Sequence, residues 1–146
     1  MGVNIRVAIG ADHAGISHKN EITKALIGMG HEVKDYGTDT QESVDYPDYA
    51  KKVAEAVASG DQDKGVLICG TGIGMSITAN RIKGVRAALC CSVDAALMAR
   101  EHNDANILCL GARTQALIDC IKITDVFFNA PFTGKKRHSR RIKKMG

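Results

Sequence analysis

Tryptophan is absent from the 146-residue chain and aromatic residues make up only 4% of it, which leaves little with which to build a stacking platform for nucleobases or flat sugar faces. No apolar run approaches the ~20 residues of a bilayer-crossing helix. The first ten residues carry no signal-peptide pattern and lead straight into a strand-like segment, so the expected location is the cytoplasm. Five cysteines are present, Cys69, Cys90, Cys91, Cys109 and Cys120, without a CxxC pair among them. The odd number and the missing pair argue against a disulfide framework, a zinc site and dithiol redox chemistry. Most of these thiols are expected to be buried, reduced and inert.

What is present points to one globular domain spanning residues 1–146. Hydrophobic residues are 45% of the chain and charged residues 25%, enough for a core and an ordinary polar surface. The formal charge of +4 conceals an asymmetry. Lys135, Lys136, Arg137, Arg140, Arg141, Lys143 and Lys144 crowd the basic C-terminal segment, 134–146. Without these seven, 13 basic residues face 16 acidic ones, a net of −3. Such a tail is a solvated end, a nucleic-acid contact or an anion clamp.

Apolar runs at 3–9, 32–36, 65–69, 85–91 and 107–110 alternate with helical patterns at 17–29, 47–58, 75–82, 95–102 and 114–128. The residues 65–69 are apolar throughout, as in a strand covered on both faces. Pro47 suits a first helical turn and Gly30 a helix stop. This β-α alternation predicts an α/β fold: a three-layer α/β/α, Rossmann-like, open five-stranded parallel sheet. In such folds ligands bind beyond the carboxyl ends of the strands, which selects residues 11–15, 37–46, 69–74, 91–94 and 111–113.

The strongest local signal is Cys69-Gly70-Thr71-Gly72-Ile73-Gly74, between a buried strand and a helix. The glycines free the backbone to turn and expose N–H groups to an anion. Cys69 stands at the strand end near a helix N-terminus, where a thiolate is favoured. A base and oxyanion donors are together what a carbon-acid reaction needs. The spacing is GxGxG rather than GxGxxG, and no Lys-Ser or Lys-Thr follows, so neither a dinucleotide fingerprint nor a P-loop is present. Asp12 and His13 follow the first strand, where Asp12 either caps the next helix or, with His13, handles hydroxyls and protons. His102 and Asn103 follow the fourth helix, where His102 could also serve as a dipole partner. Arg113, Arg137 and Arg141 carry the fork geometry that suits phosphate, and a helical tail would set Arg137 and Arg141 on one face. No His/Asp/Glu cluster with metal-ligand spacing is evident.

Taken in order, Gly10-Ala11-Asp12-His13, Asp45-Tyr46-Pro47, Ile68 to Gly74, Arg86-Ala87-Ala88, Arg100 to Asn106 and Arg137-His138 resemble the ribose-5-phosphate isomerase B family, which includes galactose-6-phosphate isomerase subunits. The likeness covers nearly the whole chain. It implies aldose–ketose isomerisation of ribose 5-phosphate and ribulose 5-phosphate through an enediolate. Cys69 matches the family's base, and Thr71 is counted with it and with His102, the ring-opening acid, among the catalytic residues. Gly70, Gly72, Ile73 and Gly74 match the loop that holds the enediolate oxygens. Asp12, His13 and Asn103 match hydroxyl-binding groups, and Arg113, Arg137 and Arg141 the phosphate clamp. The resemblance further implies no metal and no organic cofactor, no nucleic-acid or membrane partner, and a homodimer or dimer of dimers whose sites are shared between subunits. The competing readings are isomerisation of a six-carbon sugar phosphate, such as allose 6-phosphate or galactose 6-phosphate, and a non-catalytic phosphate- or RNA-binding module.

Overall fold

The computed structural model describes residues 3–146. Five strands, β1 (Arg6–Ala11), β2 (Glu32–Asp35), β3 (Lys64–Cys69), β4 (Ala87–Leu89) and β5 (Ile107–Gly111), pair in the order β2-β1-β3-β5-β4, all parallel. Six α-helices separate and follow them: α1 (Ile16–Gly28), α2 (Tyr46–Ala58), α3 (Ile73–Ala79), α4 (Val93–Glu101), α5 (Leu117–Asn129) and α6 (Lys136–Met145). The α/β three-layer fold expected from the alternation is the one adopted.

Successive strand residues point to opposite faces, and both faces are covered. Val7, Ile9, Val66, Ile68, Leu108 and Leu110 join Ile22, Leu26, Ile123 and Phe127 of α1 and α5 on one side. Ala8, Leu67, Cys69, Ile107 and Cys109 meet Val53, Ala54, Met75 and Ala79 of α2 and α3 on the other. This double coverage is why β3 and β5 read as unbroken apolar runs. Burial of each large side chain contributes about 1.5–3 kcal/mol.

The boundaries differ from the periodicity in instructive places. The fourth strand shrinks from 85–91 to Ala87–Leu89, because Val85 N–H closes a turn onto the Ile82 carbonyl. Its outer edge is blunted by Asn80, whose side-chain amide takes both the N–H and the C=O of Ala87 at 2.8 and 2.9 Å, polar groups that an open edge would present for pairing. The third helix begins at Ile73, two residues early, directly after left-handed Gly72. The fifth begins at Leu117 rather than 114, because Gln115 folds back to receive the Gly111 N–H and to donate to the Cys90 carbonyl, at 2.7 and 2.8 Å. The first strand runs 6–11 rather than 3–9, its last residue, Ala11, still in register with Ile68.

The basic segment forms α6. Of its residues only His138 is buried. Thr133 fastens the approach to α6 by giving both its N–H and its hydroxyl to the Glu101 carbonyl, at 3.2 and 3.0 Å.

Candidate active site

Parallel strands bring their carboxyl ends to one side of the sheet, and three of them carry sequence-predicted residues there. Cys69 ends β3 and is only 5% exposed. Its Sγ accepts the Gly72 N–H at 3.2 Å. Gly72 reaches this pose with φ +79°, and a Cβ on it would stand 2.6 Å from Leu89 Cδ1 and 2.9 Å from the Leu110 carbonyl carbon. No other residue type fits both the angle and the space. The Thr71 side chain, exposed at the loop tip, accepts the Ile73 N–H at 3.2 Å through Oγ1; its hydroxyl proton is left to donate elsewhere.

The loop is locked to the end of β5. Ala112 N–H donates to the Cys69 carbonyl at 2.8 Å and Arg113 N–H to the Gly70 carbonyl at 2.9 Å. The Arg113 side chain then runs back across Gly70. The Tyr46 ring covers Gly74 so closely that a Cβ there would require the ring to move. Tyr46 lay inside a quoted motif but was not singled out; a tyrosine at a helix start gives no local sign that it folds over a glycine loop.

At the end of β1, Asp12 is buried, donates its N–H to the Ile68 carbonyl at 3.1 Å and accepts the Ala14 N–H through Oδ1 at 3.0 Å. Asp12 thus caps the short 3-10 turn His13–Gly15 that leads into α1, and its second oxygen makes no hydrogen bond among the described residues. His13 Nδ1 accepts the Val44 N–H at 3.1 Å. That bond places the proton of the neutral ring on Nε2, which becomes a donor at this end of the sheet.

Cys109 lies in the neighbouring strand β5, and Cys90 directly follows β4. Burial pushes the Cys90 thiol up to about 11 and the Cys109 thiol higher still. Cys120, inside α5, is likewise pushed up to about 11, chiefly by burial. These three are held as neutral thiols, as the composition suggests.

The remaining candidates sit elsewhere. His102 closes the C-terminus of α4, its N–H on the Met98 carbonyl at 2.9 Å, and Asn103 follows it into solvent. Both precede β5, so they lie at the amino end of the sheet. Ile107 is opposite Gly65 and Gly111 opposite Cys69, which separates the two ends by four residues, about 13 Å along the strands alone. Arg137 and Arg141 are exposed on α6 beside this far group. Within one chain, then, Cys69, Thr71, Gly70, Gly72, Ile73, Gly74, Asp12, His13 and Arg113 come together, and His102, Asn103, Arg137 and Arg141 form a second cluster. A recess of about 600 Å³ opens next to this second cluster, lined by Asn80, Arg81, Lys83, Arg86, Asn103 and Met145 among others.

The second cluster contains a further residue, from within the basic segment. His138 is 6% exposed, and its ring stacks on His102 with centroids 4.3 Å apart and planes 17° from parallel. Burial, and then the nearby His102, Arg137, Arg141 and Lys135, hold its imidazole below the usual histidine range.

The family model for ribose/galactose isomerases matches residues 7–145. The chain belongs to the ribose/galactose isomerase family. Among its family relatives, ribose-5-phosphate isomerase B of Escherichia coli is 44% identical over 138 residues, covering 94% of this chain and 92% of the relative. The solved structure of ribose-5-phosphate isomerase B from Clostridium thermocellum superposes with a TM-score of 0.94 at 51% identity, over 97% of this chain and 95% of that one. The type B ribose 5-phosphate isomerase of Trypanosoma brucei gives 0.95 at 46% identity, over 98% and 97%. Among the described residues no helix is long and apolar enough to cross a membrane.

Proposed function

We propose that this chain interconverts ribose 5-phosphate and ribulose 5-phosphate, at sites each completed by a second copy of itself. The reaction class is that of the family, and the relatives named for this activity align over almost the full chain. The observation that carries the chemical reading is the Cys69 sulfur at the carboxyl end of β3, 3.2 Å from the Gly72 N–H and beside Arg113.

In the aldose-to-ketose direction the Cys69 thiolate removes the proton from C2. The electron pair moves into the C1–C2 bond as the C1 carbonyl pair moves onto O1, leaving an enediolate; the O2 proton passes to O1, and as the C2 carbonyl forms the same sulfur returns the carbon proton to C1. Charge develops on the two sugar oxygens. The N–H groups of the Gly70–Gly74 loop other than those of Gly72 and Ile73, which are bonded to Cys69 and Thr71, are available to that charge, and the Thr71 hydroxyl, whose oxygen accepts the Ile73 N–H, donates to it. Fixed donors of this kind cost no reorganisation at the moment of reaction. His13 Nε2–H and the free Asp12 oxygen bind sugar hydroxyls. Arg113 holds the phosphate, which takes no part in bond making and supplies positioning energy.

His102, Asn103, Arg137 and Arg141 serve the same substrate from the second copy. The strand register supports this assignment, since these groups stand at the opposite end of their own sheet from Cys69. A twofold arrangement lets each copy give its far cluster to the other's loop, in a homodimer or a dimer of dimers. His102 opens the sugar ring, and the arginines complete the phosphate clamp. Five unpaired cysteines favour a reducing compartment, the cytoplasm.

Incubation with ribose 5-phosphate, followed by detection of ketose, tests the reading; a folded sample without turnover overturns it. Cys69→Ala should lower kcat by at least about a thousandfold while retaining affinity for a phosphorylated sugar acid that cannot isomerise. Six-carbon sugar phosphates are the other substrates to compare. One extra carbon changes discrimination by about 1–3 kcal/mol, so a ranking by kcat/KM rather than an all-or-none result is expected.

A further inference from the structure

Of the buried polar groups outside the Cys69 loop, one stands out by its surroundings. His138 is the single buried residue of a strongly basic, mostly exposed helix. Its Nε2 is buried without a hydrogen-bond partner in the described chain, and its ring lies flat on His102. Burying an unpaired ring nitrogen is unfavourable, and an exposed helix gains nothing in solubility from it. The ring is held there from two sides. Thr133 ties the start of this segment to the Glu101 carbonyl, one residue before His102, and the backbone N–H of His138 closes the first turn of α6 on the Lys135 carbonyl at 3.0 Å. The same tether therefore sets the position of α6 and the height of the His138 ring above His102.

We propose that His138 is a positioning residue for ring opening: its stacked imidazole fixes the plane of His102, and through it the direction in which His102 presents its proton to the sugar. The inference rests on the reading of His102 as the ring-opening acid. His102 has few other restraints. It closes a helix end, is only partly buried, and no side-chain hydrogen bond anchors its ring among the described residues. A ring free to rotate about its side-chain bonds would sample many directions, and orientation is where such an acid gains or loses rate. The groups facing the stack are Arg137, Arg141 and Lys135 from α6 and its approach, and Glu101 from α4. Burial, and then His102 and the charges of Arg137, Arg141 and Lys135, shift His138 toward its neutral form, which offers His102 an uncharged face rather than a competing cation.

The test uses the full chain and two variants, His138→Ala and His138→Phe, with two substrates: ribose 5-phosphate, which is mostly cyclic, and its 4-deoxy analogue, which lacks the hydroxyl needed to close a furanose. His138→Ala should lower kcat on ribose 5-phosphate by about tenfold to a hundredfold, leave KM within about twofold, and leave the rate on the 4-deoxy analogue unchanged. His138→Phe keeps a flat ring in the same place and should restore most of the loss. Equal losses on both substrates would mean that the ring merely holds α6 and its arginines, and a Phe variant no better than Ala would mean that the ring face is irrelevant; either overturns the proposal. If the unaltered protein turns over neither substrate, the isomerase reading itself fails. If it turns over both and the variants match it, only the role of His138 does.

Discussion

Arg113 is tied to Gly70 twice, by its N–H on the Gly70 carbonyl at 2.9 Å and by a side chain that runs back across the same glycine. The residue proposed to hold the phosphate is thus fixed to the residue next to the proposed base, through backbone as well as side chain. Phosphate and reacting carbons are at opposite ends of the sugar, so under the proposed roles this tie would set the length of sugar that fits between them.

Removal of the guanidinium should therefore act on binding before chemistry. A charge-assisted hydrogen bond contributes about 1.5–3 kcal/mol. Arg113→Ala is expected to raise KM by about tenfold to a hundredfold with a smaller change in kcat. Arg113→Lys keeps the charge but not the two-pronged geometry and should fall between. Steady-state kinetics on ribose 5-phosphate separate the two parameters. A fall in kcat at constant KM would assign Arg113 to the chemical step instead.

The strand register makes a sharper demand. If Cys69 of one copy works with His102 of another, Cys69→Ala and His102→Asn should each be inactive alone yet complement when co-expressed or refolded together. Random pairing makes about half the dimers hybrids, each with one intact site and one doubly damaged site, and predicts about a quarter of the full activity. Activity no greater than the sum of the two variants measured separately would place all of these groups within one chain.

The sequence alone revealed much of this architecture because the helices and strands declare themselves by different periods. The buried strands β3 and β5 were legible as apolar runs, and the glycine loop after Cys69 as a break between a strand and a helix. What lay hidden depended on contacts between distant segments. Gln115 reads as the first turn of a helix until its side chain is seen to bridge Gly111 and Cys90. Tyr46 reads as a surface residue until its ring covers Gly74, 28 positions away. His138, among seven basic neighbours, reads as surface charge until the chain returns it to His102. The split between the two clusters was legible in principle, since His102 precedes a strand and Cys69 ends one.

Gly72 offers a test of how tightly the loop is built. An L-residue in the left-handed region costs about 1–2 kcal/mol, and here the added Cβ would also press on Leu89 and the Leu110 backbone. Gly60 has a similar φ of +83° with nothing within 4 Å of the added carbon. Gly60→Ala should lose only the backbone contribution, about 1 kcal/mol, with normal activity. Gly72→Ala should lose about 2–4 kcal/mol and, by shifting the N–H that faces Cys69, most of its turnover as well. Denaturant titrations with parallel assays compare the pair; equal stability losses would show that the loop yields to the methyl group.

His31 predicts the direction of the acid response of the fold. It is buried against Phe128, ring centroids 5.8 Å apart, and its Nδ1 accepts the Ile5 N–H at 3.2 Å. Burial, and then the charge of Lys64, hold its imidazole below the ordinary histidine range. A protonated ring would set a donor against the Ile5 donor. Because the folded chain binds this proton less readily than the unfolded one, the contribution of His31 is complete above about pH 6.5 and declines as the pH falls below it. An asparagine can place an acceptor near the position of Nδ1 without titrating. His31→Asn should be less stable at pH 7.5, having lost the ring contact with Phe128, yet lose less further stability than the parent chain between pH 7 and pH 5. Urea midpoints at several pH values measure both slopes, and parallel slopes would remove His31 from the acid response.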